Sequence, residues 1–197
     1  ESLKVPPDFL KKLSLTDKSF HSPTLKLKVA FLIGDKSLVP PANQVELSHF
    51  TREEIESSFQ VLSAVSDDCF IEYLTYLLQA NLISWDSVAK SLKGRSKCPS
   101  KKEKLVEFWT ILSQQPSIDH SEKEVAINLH SYFTLCQSSF PAELKQNQPF
   151  LSLIVKLIQI SGLKDSIPSF IQNYPAISPE DLKILIEMKH DWQSDKT

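Results

Sequence analysis

Apolar residues in this chain recur mostly at spacings of three and four, the signature of helices with one buried face. The clearest stretch is Asp68 to Leu92. Phe70, Ile71, Leu74, Leu77 and Leu78 form one stripe. Asn81 follows, a residue that tolerates the left-handed conformation of helix ends. Ser84 then offers a cap to a second helix carrying Trp85, Val88 and Leu92, closed by Gly94. The pattern predicts a helical hairpin with more apolar surface than it can bury alone.

The remaining segments read similarly. Pro6 to Leu15 predicts a short helix through Phe9, Leu10 and Leu13. Ser22-Pro23 marks the next start, since Ser caps and Pro at the first position misses no N–H. Leu25, Val29, Leu32 and Ile33 follow, and Gly34 stops the helix. The alternation of Leu25, Leu27 and Val29 with lysines and Thr24 also fits a strand. Helix is favoured because no partner strand is visible. Asp35 to Phe50 contains Pro40-Pro41, which forbids a continuous helix and predicts an internal linker.

Thr51 with Glu54 reads as a capping box before Ile55, Phe59, Leu62 and Val65. Ser100 with Glu103 reads as a second box, before Leu105, Phe108, Trp109 and Leu112. Ser121 with Glu124 reads as a third, before Val125, Leu129, Tyr132, Phe133 and Cys136. The stretch Phe150 to Ile160 is apolar on most sides, as a central helix is, and Gly162 stops it. A short helix is expected near Pro168 to Gln172. Ser178-Pro179-Glu180-Asp181 caps a last one, bearing Leu182, Leu185, Ile186, Met188 and Trp192. About nine helices with short connections predict an all-α single domain, either HEAT-like stacked antiparallel pairs or an irregular bundle.

Composition narrows this picture more than it extends it. The chain has 197 residues and three glycines against twelve prolines. So few glycines argue against glycine-rich phosphate loops and β-hairpin turns. The formal net charge of −2 creates no field that selects nucleic acid or an anionic membrane. Cys69, Cys98 and Cys136 form no CxxC pair, which removes support for zinc or dithiol chemistry and favours a reducing compartment, cytoplasmic or nuclear. No apolar run approaches the ~20 residues of a membrane span. The chain begins at Glu1, so a piece of a longer protein is expected.

Candidate chemistry is sparse. His21, His49, His120, His130 and His190 show no metal-ligand spacing, and solvent-exposed or half-buried rings are expected. No GxSxG motif occurs. Glu53-Glu54 and Asp67-Asp68 sit where helix dipoles favour negative charge. No cofactor and no catalytic activity is expected. A hydrolase assembled from distant Ser, His and Asp is the enzymatic rival. The segment from Lys93 to Lys104 is the most basic, with Arg95, Lys97, Lys101 and Lys102 between. It supports a nucleic-acid-binding alternative, though the aromatic interleaving of single-strand binders is missing. Tyr73 and Tyr76 lie partly off the hairpin stripe and are read as a second buried face.

The order Phe70-Ile71-x-Tyr73-Leu74-x-Tyr76-Leu77-Leu78, then Leu82-Ile83-Ser84, Val88 and Leu92, resembles a hairpin in the large helical-repeat tail-module subunits of the Mediator complex. The similarity spans about twenty-five residues and extends loosely through Phe140. It implies a non-enzymatic nuclear scaffold linking transcription factors to polymerase machinery, with other protein subunits or peptides as partners. Independently, a terminal helix of a stack has no neighbour over its outer face. That makes Ile184, Met188 and Trp192 the expected partner-binding residues.

Overall fold

The computed structural model describes residues 21–115, 118–119 and 121–194, with Pro6, Asp8, Lys11 and Lys12 before them, and side chains as far as Lys189. Asp8, Lys11 and Lys12 are helical; most of the helix expected at Pro6 to Leu15 lies outside the described residues. The described residues are all-α and contain no strand. They hold eleven α-helices: α1 (Pro23–Ile33), α2 (Arg52–Ser57), α3 (Phe59–Ser63), α4 (Asp67–Gln79), α5 (Trp85–Leu92), α6 (Lys102–Gln114), α7 (Lys123–Cys136), α8 (Ala142–Lys145), α9 (Gln148–Ser161), α10 (Ile167–Asn173) and α11 (Pro179–Ser194). The chain divides into two compact units, Glu1–Ser84 and Trp85–Thr197. The expected hairpin is therefore shared out: α4 belongs to the first unit and α5 to the second.

In the first unit, α1 starts at Ser22-Pro23 and ends at Gly34, whose φ of 71° closes the helix in the left-handed region. This settles the segment as helix rather than strand. The linker after it is not extended chain. It folds into three 3₁₀ turns, Lys36–Leu38, Ala42–Gln44 and Leu47–His49. Asp35 caps the first turn by accepting from the Ser37 N–H. The Lys11 ammonium bonded to Asp35, with Ser37, holds that carboxyl well below the usual carboxylate range. The second turn packs on α4. There the buried Tyr73 hydroxyl donates to the Pro40 carbonyl at 2.8 Å. The Thr51–Glu54 capping box forms in full. The predicted helix behind it is broken at Ser58 into α2 and α3. Asn81 takes φ 54° after α4, as its place at a helix end requires.

The second unit is built around α7 and α9, its most extensively packed pair; α5 also packs on α7, and α6 and α11 on α9. Asn147 caps α9, and Gly162 at φ 71° ends it. As its composition requires, Phe150, Leu151, Ile154, Val155, Leu157, Ile158 and Ile160 of α9 are all buried. Trp109 of α6 is wholly buried. Its ring stacks on Tyr132 at 6.4 Å and meets Phe108, Phe133, Phe140 and Phe150 edge-on at 5.5 to 6.2 Å. Offset and edge-on pairs are the arrangements the ring quadrupole prefers.

Two expected capping boxes are corrected. The N-cap of α6 is Lys101, not Ser100, and makes no side-chain cap bond. The N-cap of α7 is Glu122, not Ser121. Its carboxylate accepts from the Asp119 N–H, and the Asp119 carboxylate accepts from the Ser121 N–H. The Asp119 carboxylate thus takes the Ser121 N–H that a Ser121–Glu124 box would have given to Glu124. Ser178 does cap α11, accepting from the Asp181 N–H at 3.1 Å.

Candidate interaction surfaces

The first candidate surface lies in the first unit. Helix α1 has apolar residues all around, a pattern that normally demands cover on every side. Leu27, Val29 and Ala30 are buried, yet Leu32 is 76% exposed. Beside it a concavity of about 210 Å³ is lined by Lys28, Phe31, Leu32, Phe50 and Glu54, with Ser57 and Ser58. Phe31 and Phe50 meet edge-on at 5.8 Å. The Lys28 ammonium lies 5.2 Å from the Phe50 ring centre, a cation–π distance. Glu54 accepts from the Thr51 N–H at 2.7 Å, and that bond keeps its carboxyl ionised below the usual range. The concavity is thus an apolar floor between two charges, with a large aliphatic side chain open at its edge. Sequence reasoning missed it, having placed Leu32 on the buried stripe of its helix.

On α11 the expected surface is rearranged. Ile184 and Met188 are half-buried, and the Trp192 side chain lies outside the described residues. The helix is anchored by Leu185, fully buried, while Ile186 is 44% exposed. Ile186 had been expected on the covered side; the packing of α11 on α9 and α10 rotates it outward instead. Its neighbours on the helix include the exposed pair Lys183 and Glu187, whose charged atoms are 3.8 Å apart.

The basic loop is pinned rather than free. Pro99 is buried and Cys98 half-buried beneath it, while Lys97, Lys101 and Lys102 are exposed and Arg95 and Lys104 half-buried. Lys93 pairs with Glu124 at 3.0 Å, and Lys104 lies 3.8 Å from Glu107. Lys93 and Lys104 therefore already face carboxylates of their own unit. A concavity in the second unit has Trp85, Leu112, Ile118 and Leu153 in its walls, so Trp85 is half-buried rather than core.

The other singled-out residues fall into structural places. Glu53 and Glu54 lie in the first turn of α2, and Asp67 and Asp68 in that of α4. Tyr73 is buried and Tyr76 half-buried. Cys136 is buried, and Cys69 only half-buried. His21 and His49 are exposed, and His49 pairs with Glu46 at 2.9 Å. His130, contrary to expectation, is buried in the core of the second unit. His120 lies outside the described residues, as does the His190 side chain. Among the described residues, no group of three or more His, Cys, Asp or Glu is placed to hold a metal ion, and no helix is long and apolar enough to cross a membrane.

Comparison of the chain with protein-family models, with curated proteins and with solved structures finds no match.

Proposed function

We propose that the chain is a non-enzymatic protein-interaction scaffold whose partner is a helix or peptide of another protein. The observation that carries this reading is the uncovered side of α1, where Leu32 is 76% exposed beside the Phe31–Phe50 floor. Amphipathic helices engage such floors through apolar anchors spaced one turn apart. The half-buried Ile184 and Met188, one turn apart on α11, offer a second candidate surface. The test is photo-crosslinking in cells from an amber-encoded crosslinker at position 32, with one at exposed Glu53 as control. A discrete adduct at 32, absent at 53 and lost on Phe50→Ser, supports the reading. Equal adducts at both positions overturn it.

The narrower form of the proposal, a region of a Mediator-like coactivator subunit acting in the nucleus, draws on the order of residues from Phe70 to Leu92. Co-purification of the tagged protein with other Mediator subunits from nuclear extract tests it, and their absence removes it. The nucleic-acid alternative draws on Lys97, Lys101 and Lys102. It requires low-salt binding to DNA or RNA that falls steeply with salt and is abolished when the three become Glu.

A further inference from the structure

The second unit holds a titratable ring in its core. His130 lies on α7 and is 5% exposed. Its ring sits 5.8 Å from Phe133, which in turn meets Phe140, Phe150, Phe170 and Tyr174 at 5.7 to 6.2 Å. The buried Nε2 atom has no hydrogen-bond partner among the protein atoms. A neutral imidazole tolerates this, because one ring nitrogen carries no hydrogen. An imidazolium does not, since both nitrogens then carry hydrogens and a charge is held in an aromatic core.

We infer that α7 carries an acid-sensitive release, in which protonation of His130 loosens the core of the second unit. The surroundings offer no compensation. Burial is the sole cause acting on the ring, and it holds the imidazole below its ordinary value of 6.5. Asp86 and Lys90 of α5, Lys156 of α9, and Lys123 and Glu124 of α7 itself are the charged residues of the helices packed there, and none of them contributes to that shift. The sign follows from linkage. The opened state takes up a proton near pH 6.5, and the closed state does so only at lower pH. Opening is therefore favoured as pH falls below 6.5, by up to about tenfold per pH unit for one proton, until the closed-state value is passed. Above 6.5 both states are neutral and the effect vanishes.

The experiment uses the full chain between pH 8 and pH 5. Amide hydrogen exchange, expressed as protection factors, is followed in α7 and in α4 of the first unit. Nuclear magnetic resonance of the imidazole carbons follows the protonation of His130 directly. Protection in α7 is expected to fall below pH 6.5 in the wild type and to stay level in His130→Leu. His130→Gln serves as a second variant should Leu pack badly. If the His130 imidazole becomes protonated while α7 keeps its protection, the inference is overturned. It is overturned equally if wild type and both variants lose protection alike.

Discussion

Replacing Trp109 tests the aromatic core where its packing and polar bookkeeping pull in opposite directions. The indole is wholly buried against Phe108, Tyr132, Phe133, Phe140 and Phe150, yet its Nε1 has no hydrogen-bond partner among protein atoms. Trp109→Ala removes the whole ring system and should cost about 3–5 kcal/mol. Trp109→Phe removes roughly two buried carbons beyond the N–H, about 1.6 kcal/mol at 0.8 per methylene-sized group. It also removes a buried donor whose unmade hydrogen bond costs about 1–3 kcal/mol. The two terms nearly cancel, so Trp109→Phe should lie within about 1 kcal/mol of wild type. Urea titrations followed by far-UV circular dichroism measure both variants, with slopes compared because two compact units need not unfold in one step. If Trp109→Phe proves as costly as Trp109→Ala, the donor is satisfied in solution and the orphaned N–H reading is refuted.

Further substitutions probe single links of the argument. Tyr73→Phe leaves the buried Pro40 carbonyl without the donor now 2.8 Å away. It should cost about 1–3 kcal/mol and speed limited proteolysis between residues 35 and 50, and unchanged proteolysis would count against Tyr73 as the linker's anchor. Thr51→Ala removes the only complete capping box found among the described residues, and thermal denaturation should report a loss of about 1 kcal/mol. Gly162→Ala meets no atom within 4 Å, so its expected loss of about 1–2 kcal/mol is conformational, from φ 71° alone. Gly162→Asn, better suited to that region, should lose less.

The fold was legible where a single local pattern decided the outcome. Ser22-Pro23 and Gly34 bracketed α1, Asn81 and Gly162 ended α4 and α9 in the left-handed region, and the composition of α9 required its burial. It was illegible where local groups compete. The Ser121 pattern lost to Asp119, whose carboxylate accepts the Ser121 N–H, and sequence spacing does not rank acceptors. The linker was legible as a break but not as three 3₁₀ turns. Its order depends on a hydrogen bond across 33 positions, from Tyr73 to Pro40, which no window on the chain contains.

The candidate surface was less legible than the fold, and the reason lies in what periodicity measures. A stripe reports which residues share a face and leaves open whether that face is covered. On α11 the pattern placed Ile184 outward and Ile186 on the covered side, whereas Ile184 is half-buried and Ile186 is 44% exposed. That residue stands near Lys183 and Glu187, and single exposed apolar side chains of this kind are ordinary on protein surfaces. On α1, whose apolar residues surround the axis, the stripe read from spacing put Leu32 on the covered side, where it does not lie. There the exposed residue does not stand alone: Leu32 borders a concavity with Phe31 and Phe50 in its floor. An exposed aliphatic side chain continuous with an aromatic floor offers a helix more area to bury than an isolated isoleucine between charges. The weight of the interaction reading therefore moves from the terminal helix to α1, and position 32 rather than 186 or 192 is where a partner should first be sought.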